Sequence, residues 1–328
     1  MNIVVTGGAG FIGSHLCEAL LCKGNKVFVI DNFNNYYNPQ IKSRNINDIL
    51  DRMIKNNISM DNFIIQEVDI RDKNRINEIF KNDIDLVIHL AAMAGVRYSI
   101  ENPELYVDVN IKGTMNILEA CRENGIKKLI FASSSSVYGN NMKIPFSEND
   151  IVDNPISTYA ATKKSGELLC HTYHYLYGFS VACLRFFTVY GPRQRPDLAI
   201  YKFVNQISKG EQIPFFGDGD TERDYTYISD IVDGIMKAIS WVENNSNCYE
   251  IFNLGESKRI SLKNMVETIE NTLDKRADKK MFPLQPGDVK ATYANINKAR
   301  NMLGYAPSMD FETGIKNFVS WFKDYDKR

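Results

Sequence analysis

The chain has 328 residues, 44% hydrophobic and 24% charged, enough for one large or two smaller domains around a substantial buried core. Its net charge of −1 supplies no global field that would draw it onto nucleic acid or an anionic membrane, so neither is an expected partner. Cys17, Cys22, Cys121, Cys170, Cys183 and Cys248 are scattered without a CxxC pair, no basic n-region precedes "NIVV", and no apolar run approaches the ~18 residues of a membrane span, a pattern that predicts a cytoplasmic protein with reduced core thiols.

"NIVVT" (2–6) is a short apolar run ending at glycines, and a helical pattern follows it with Phe11, Ile12, His15, Leu16, Ala19 and Leu20 on one face. The strand signal returns at 26–30, 63–68, 85–91, 128–133 and 180–186, with helical stretches between most of them. Near-continuous apolar strands alternating with helices predict an α/β fold, a Rossmann-type doubly wound parallel sheet covered on both faces. The last third is richer in turns and charge, yet a helix near 229–242 and a strand at 249–255 are placed to return to the sheet. The expected boundary is therefore interleaved: 1–187 with 226–256 as the sheet domain, and 188–225 with 257–328 as a smaller C-terminal substrate domain. "DKRADKK" (274–280) carries its own acids and reads as a solvated loop.

"TGGAGFIG" joins the first strand to the first helix. Gly8, Gly10 and Gly13 fit G-x-G-x-x-G, while Gly7, Gly10 and Gly13 fit the looser G-x-x-G-x-x-G. Glycines there permit a tight turn and let backbone approach a pyrophosphate, and the helix start offers free N–H groups to the phosphates. Asp31 falls at the end of the next strand, where a carboxylate accepts from a ribose 2′-hydroxyl and repels a 2′-phosphate. No arginine follows in "DNFNNYY", so NAD is favoured over NADP, with Gly7, Gly10, Phe11, Ile12, Gly13, Asp31 and Asn32 as its first contacts.

"FASSSSVYG" (131–139) leaves the fifth strand, and in "YAATK" (159–163) Tyr159 and Lys163 are four apart, on one helix face. A free tyrosine is only about 0.1% ionised at pH 7, too little for an efficient base. A nearby ammonium and a cationic cofactor ring would lower its pKa, and Ser134 would donate to the reacting oxygen. Glu167, His171 and His174 share a helix face but lack the H-E-x-x-H order, so no metal is expected. His89 lies in an apolar run and reads as a satisfied structural histidine.

With Asp31, "DI" (69–70) and "HLAA" (89–92), these motifs resemble the extended short-chain dehydrogenase/reductase superfamily over nearly the whole chain. The resemblance implies Tyr159 as catalytic base, Lys163 holding the nicotinamide ribose and lowering the tyrosine pKa, and Ser134 assisting. It also implies that Asp69 and Ile70 border the adenine, that Leu90, Ala91 and Ala92 line the cofactor, and that Asn110 is structural. A homodimer is common in this family, and the apolar residues on more than one face of 103–123 and 159–177 suit one.

Dehydratases of the superfamily carry an Asp-Glu pair where this chain has Ser135 and Ser136, which argues against dehydration. Galactose-type epimerases and nucleotide-sugar decarboxylases tend to have Asn at the position of Thr188. "FTVYGPRQRPDLA" (187–199) and "DNFNNYYNPQIK" (31–42) are instead similar to the UDP-glucuronate 4-epimerases. In that group the threonine and the second arginine face the sugar carboxylate, here Thr188 and Arg195. The same resemblance implies Arg97, Ser134, Ser135 and Ser136 near the sugar, Phe216 against uracil, Arg223 on the pyrophosphate and Asp288 on the nucleotide. The expectation is an isomerase: NAD-dependent C4 epimerisation of UDP-glucuronate to UDP-galacturonate through a transient 4-keto sugar, without decarboxylation. Alternatives are a 4-epimerase of another UDP-hexose or UDP-N-acetylhexosamine, a UDP-glucuronate decarboxylase, or a silent NAD-binding regulator.

Overall fold

The computed structural model describes residues 1–283 and 290–326 and alternates strands and helices from its first residues. The first half runs β1 (Asn2–Thr6), α1 (Phe11–Cys22), β2 (Lys26–Asp31), α2 (Pro39–Lys55), β3 (Phe63–Glu67), α3 (Lys73–Phe80), β4 (Leu86–His89), α4 (Val96–Glu101), α5 (Pro103–Tyr106), α6 (Gly113–Glu123), β5 (Lys128–Ser134), α7 (Thr158–Tyr177) and β6 (Ser180–Phe186). Then come β7 (Thr188–Tyr190), α8 (Ala199–Lys209), β8 (Ile213–Phe216), β9 (Glu222–Arg223), β10 (Tyr225–Tyr227), α9 (Ile228–Asn244) and β11 (Tyr249–Leu254). The chain continues through β12 (Ile260–Ser261), α10 (Leu262–Leu273), β13 (Lys279–Phe282), α11 (Asn297–Leu303) and α12 (Phe311–Asp326).

Seven strands form one sheet in the order β11-β6-β5-β4-β1-β2-β3, with every neighbouring pair parallel. Strands β4 and β6 are buried along their whole length, which is why they read as unbroken apolar runs rather than alternations. Separate hydrophobic clusters fill the two faces, one built on Ile3, Val5 and Leu16, the other on Val4, Phe28 and Leu118. The winding reverses between β1 and β4, and the crevice of a doubly wound sheet opens there, at the carboxyl ends of the strands.

Local chemistry sets the elements around that crevice. Ser157 caps α7 by accepting from the Ala160 N–H at 3.1 Å, and Gly178 ends the helix in the left-handed conformation at φ 67°. Between α5 and α6 the helix passes through one π turn at Val107–Lys112. Asn110 in that turn accepts from the Met93 N–H (2.8 Å) and donates to the Met93 carbonyl (2.9 Å) and Thr162 Oγ1 (3.0 Å), tying the loop after β4 to α7.

The later segments add small sheets: β7 with β10, β9 with β12, and β8 with β13. Asp224, fully buried, accepts from the N–H groups of Glu256 (2.8 Å), Ser257 (3.1 Å) and Ala294 (3.0 Å), and burial pushes its carboxyl up to about 6. All six cysteines are unpaired, with Cys17, Cys121, Cys170 and Cys183 buried. Among the described residues no helix is long and apolar enough to cross a membrane.

Candidate active site

A cavity of about 610 Å³ opens at the carboxyl ends of the sheet and runs from the glycine loop to the turn after β7. Gly7, Gly10, Phe11, Ile12 and Gly13 line its floor. Gly7 has φ +71°, and a Cβ on it would lie 2.9 Å from the Ala91 backbone nitrogen; one on Gly13 would lie 2.2 Å from the Gly7 carbonyl oxygen. Gly8 instead packs on Val29, where a Cβ would come within 2.8 Å of the valine side chain, so the spacing that faces the cavity is Gly7, Gly10, Gly13. Gly10 caps α1 without a side chain, which keeps the first-turn N–H groups available to an anion.

Asp31 and Asn32 line the same end, joined by Asp69 and Ile70. Asp31 accepts from the N–H groups of Ala9 (3.2 Å) and Phe33 (2.9 Å) and pairs with Lys42 at 3.3 Å. That buried lysine escaped sequence reasoning because it stands on the next helix, eleven residues on. Asp69 is bracketed by Arg71, whose Nε and Nη2 donate at 2.9 and 2.8 Å, and by Asn32 at 2.8 Å. The Arg71 hydrogen bonds hold its carboxyl down at about 2.

Leu90, Ala91 and Ala92 form the wall beyond β4. His89, just before them, has both ring nitrogens engaged, with Thr6 Oγ1 at 2.7 Å and Thr114 Oγ1 at 3.0 Å. Thr114 spends its own proton on the Asn110 carbonyl (2.6 Å), so His89 Nε2 donates and Nδ1 accepts, a neutral tautomer. Burial and the Lys163 charge hold its pKa down at about 3.

Ser134, Ser135, Ser136, Tyr159 and Lys163 meet at the centre. Ser134 Oγ accepts from the Ser136 N–H (3.2 Å) and Ser136 Oγ (3.0 Å), and Ser134 also hydrogen-bonds the Tyr159 hydroxyl. The Lys163 ammonium donates to the Ala132 carbonyl at 2.8 Å and lies 5.9 Å from the Tyr159 ring centroid. Burial pulls Lys163 down to about 8 and pushes Tyr159 above its usual value. The Ser134 hydrogen bond and the charge of Arg195 draw Tyr159 back down. Behind this row a fully buried Arg185 grips Glu167 through Nε and Nη2, both at 2.8 Å, and Ser133 donates to Glu167 at 2.6 Å. Glu167 thus serves an ion pair that locks α7 onto the sheet.

The far end carries Arg97, Thr188, Arg195 and Arg223. Arg195 sits 5.5 Å from the Tyr36 ring centroid and donates through Nε and Nη2 to both oxygens of Asp197, at 3.0 and 2.8 Å. Tyr36 and Tyr37, which line the cavity from the segment after β2, and Asp197 were not singled out from sequence; aromatic residues in a polar run are the signal that could have found the tyrosines. Phe216 does not line the cavity; its ring stands 5.7 Å from the Arg97 guanidinium and 5.7 Å from Phe282, beside the site. Asp288 lies outside the described residues. Arg193, two residues before Arg195, turns the other way at φ 64° and pairs with Glu18 and Asp48, while the His15 Nε2–H donates to the Pro192 carbonyl at 2.9 Å.

The profile of the GDP-mannose 4,6 dehydratase family matches residues 4–318. UDP-glucuronate 4-epimerase 4 of Arabidopsis thaliana is 43% identical over 99% of the chain and 76% of the relative. Among solved structures, UDP-glucuronic acid 4-epimerase from Bacillus cereus, in complex with UDP-glucuronic acid and NAD, aligns with TM-score 0.89 and 36% identity over 99% of this chain and all of that one. UDP-N-acetylglucosamine 4-epimerase from Methanobrevibacter ruminantium, in complex with UDP-N-acetylmuramic acid, aligns with TM-score 0.87 and 34% identity, covering 99% and 98% of the two chains.

Proposed function

The chain belongs to the GDP-mannose 4,6 dehydratase family, within its NAD-dependent UDP-sugar 4-epimerases, and we propose that its substrate is UDP-glucuronate, epimerised at C4 to UDP-galacturonate. The observation that carries this is Arg195. It lines the same cavity as Tyr159, and a carboxylate on C5 is one carbon from the C4 hydroxyl that the tyrosine would address. A buried arginine–carboxylate pair is strong and orientation-specific, which suits an acid sugar. With Ser135 and Ser136 in the serine segment, no acid stands ready for dehydration.

The residues present fit NAD. The Cβ-free cradle of Gly7 and Gly13 and the uncapped start of α1 suit a pyrophosphate. Asp31 has one lone pair beyond those used by Ala9, Phe33 and Lys42, on Oδ2, with which to accept from a ribose hydroxyl. Asp69 with Ile70 would flank the adenine, Leu90, Ala91 and Ala92 the cofactor's length, and Lys163 the second ribose. When bound, NAD supplies a reversible acceptor for the C4 hydrogen and its electron pair. We assign 1–187 with 226–256 to the cofactor, and 188–225 with 257–328 to the sugar nucleotide.

In this reading Tyr159 takes the C4 hydroxyl proton and returns it after the 4-keto sugar has turned, while Ser134 hydrogen-bonds the same oxygen. Because that hydroxyl is raised by burial, the positive charges of Lys163, Arg195 and the loaded site would together acidify it. A 4-keto glucuronate is a β-keto acid and loses CO₂ when its C–CO₂ bond stands perpendicular to the carbonyl plane. Thr188, Arg195 and the serines hold the carboxylate away from that geometry. Arg97 would stand near the sugar and Arg223 on the pyrophosphate, and Phe216 would reach uracil from beside Arg97.

The free thiols suit a reducing cytosol. A homodimer through α6 and α7 would cover Leu168, Tyr175 and Leu176, exposed on α7; sedimentation tests it. Incubating the purified protein with UDP-glucuronate and resolving the products tests the function. UDP-galacturonate without UDP-pentose supports it, UDP-pentose points to a decarboxylase, and no reaction overturns it. A second reading, a 4-epimerase of neutral or N-acetylated UDP-sugars, draws support from Asp197, which already balances the Arg195 charge.

A further inference from the structure

We propose that Asp197 is the positioning residue for Arg195, clamping one edge of its guanidinium so that the other edge is presented to the carboxylate of an acid sugar. The inference rests on the UDP-glucuronate reading above and deepens it. A guanidinium carries five N–H donors in a fixed plane. Asp197 takes the side edge, one donor each from Nε and Nη2 at 3.0 and 2.8 Å. The end edge, built from Nη1 and the second Nη2 hydrogen, is the remaining fork, and it suits a second carboxylate.

Place decides between a clamp and a competitor. Arg195 lines the cavity, whereas Asp197 does not and has the more exposed side chain of the two, 35% against 18%. The carboxylate therefore holds the arginine from outside the space that a sugar would occupy. The Tyr36 ring at 5.5 Å closes on the guanidinium from the segment after β2. Edge and face are both held before substrate arrives, so a flexible side chain delivers its donors in one orientation. The pairing also tempers a lone cation that would otherwise attract any anion.

The test compares NAD-loaded wild type, Asp197→Asn and Asp197→Glu on UDP-glucuronate, with UDP as an inhibitor that has no sugar carboxylate. The asparagine variant should raise KM for UDP-glucuronate about tenfold and increase the UDP-pentose fraction, while inhibition by UDP changes less than about twofold. Asp197→Glu, which keeps a carboxylate, should fall between the two. An unchanged KM in Asp197→Asn overturns the clamp, and a lower KM overturns it by making Asp197 a competitor. Equal weakening of UDP and UDP-glucuronate overturns it as well, because the residue would then merely hold the fold. A wild-type protein inert toward UDP-glucuronate overturns the underlying reading and the clamp with it.

Discussion

The glycine loop after β1 and the turn after β7 flank the same cavity, and they face it by opposite means. The first offers backbone: at Gly7 and Gly13 the useful feature is the absence of a Cβ. The second offers side chains, and its two arginines part company. Arg193 turns into the protein onto Glu18 and Asp48, while Arg195 turns into the cavity under Tyr36. A site made of missing atoms depends on local conformation. A site made of long side chains depends on what the rest of the chain places around them.

Gly13→Ala should break the backbone half completely, because its Cβ would sit 2.2 Å from a carbonyl that cannot move aside. The purified variant is expected to carry no NAD, as read by releasing and quantifying bound nucleotide. Between the two regions, Tyr159→Phe should keep NAD and lose turnover by about 10³-fold, the scale of a positioned proton-transfer group.

The arginines separate the side-chain half. Arg195→Met should lower kcat/KM for UDP-glucuronate by about 10²-fold with little change in Tm. Arg193→Met should do the reverse, costing about 2 kcal/mol of stability, because Glu18 and Asp48 lose their partner but stay partly in water. If both variants lost activity and kept their Tm, the division between them would be wrong.

His15 bridges the regions, standing on α1 and donating to the Pro192 carbonyl. Burial and then the Arg193 charge lower its pKa to about 3, against the hydrogen bond to Pro192, which raises it. With the folded pKa below the unfolded value of ~6.5, the unfolded chain binds the extra proton between those limits. Stability is therefore present above pH ~6.5 and falls with acid by about 1.4 kcal/mol per pH unit for this group, and His89 acts in the same direction. His15→Gln should flatten the stability-versus-pH profile by about one proton in denaturant melts at pH 7 and pH 5. The smallest effect is expected from Thr188→Ala: a modest UDP-pentose by-product from a chain that still epimerises. Turnover with no added CO₂ or pentose would remove Thr188 from control of the carboxylate.

Much of this architecture was legible along the chain. The strands at 2–6, 26–30, 63–68, 128–133, 180–186 and 249–255 sit where the apolar runs put them; in β1, β2, β5 and β6 burial on both faces writes itself as a near-unbroken run, while the edge strand β3 alternates. Tyr159 and Lys163 share the cavity because four residues is one helical turn. The electrostatics between them were not legible. Helix spacing brings Lys163 beside the tyrosine ring, but that its ammonium also donates to the Ala132 carbonyl, and that a second cation, Arg195, acts on the hydroxyl from thirty-six residues later in the chain, depends on the fold. Lys42 beside Asp31 and Asp197 beside Arg195 were hidden for the same reason: a lysine on a helix and an aspartate in a turn look like solvated charge until a fold gives them neighbours.

By itself, then, the sequence determined the alternation of strand and helix, the glycine cradle and the one-turn pairing of tyrosine with lysine, all set by interactions within a few residues. Only the tertiary structure decided that Gly8 packs on Val29, that Arg193 is held by Glu18 and Asp48, and that Tyr36, Lys42 and Asp197 belong to the site. Charge acts through space and through burial, and both are properties of the folded chain.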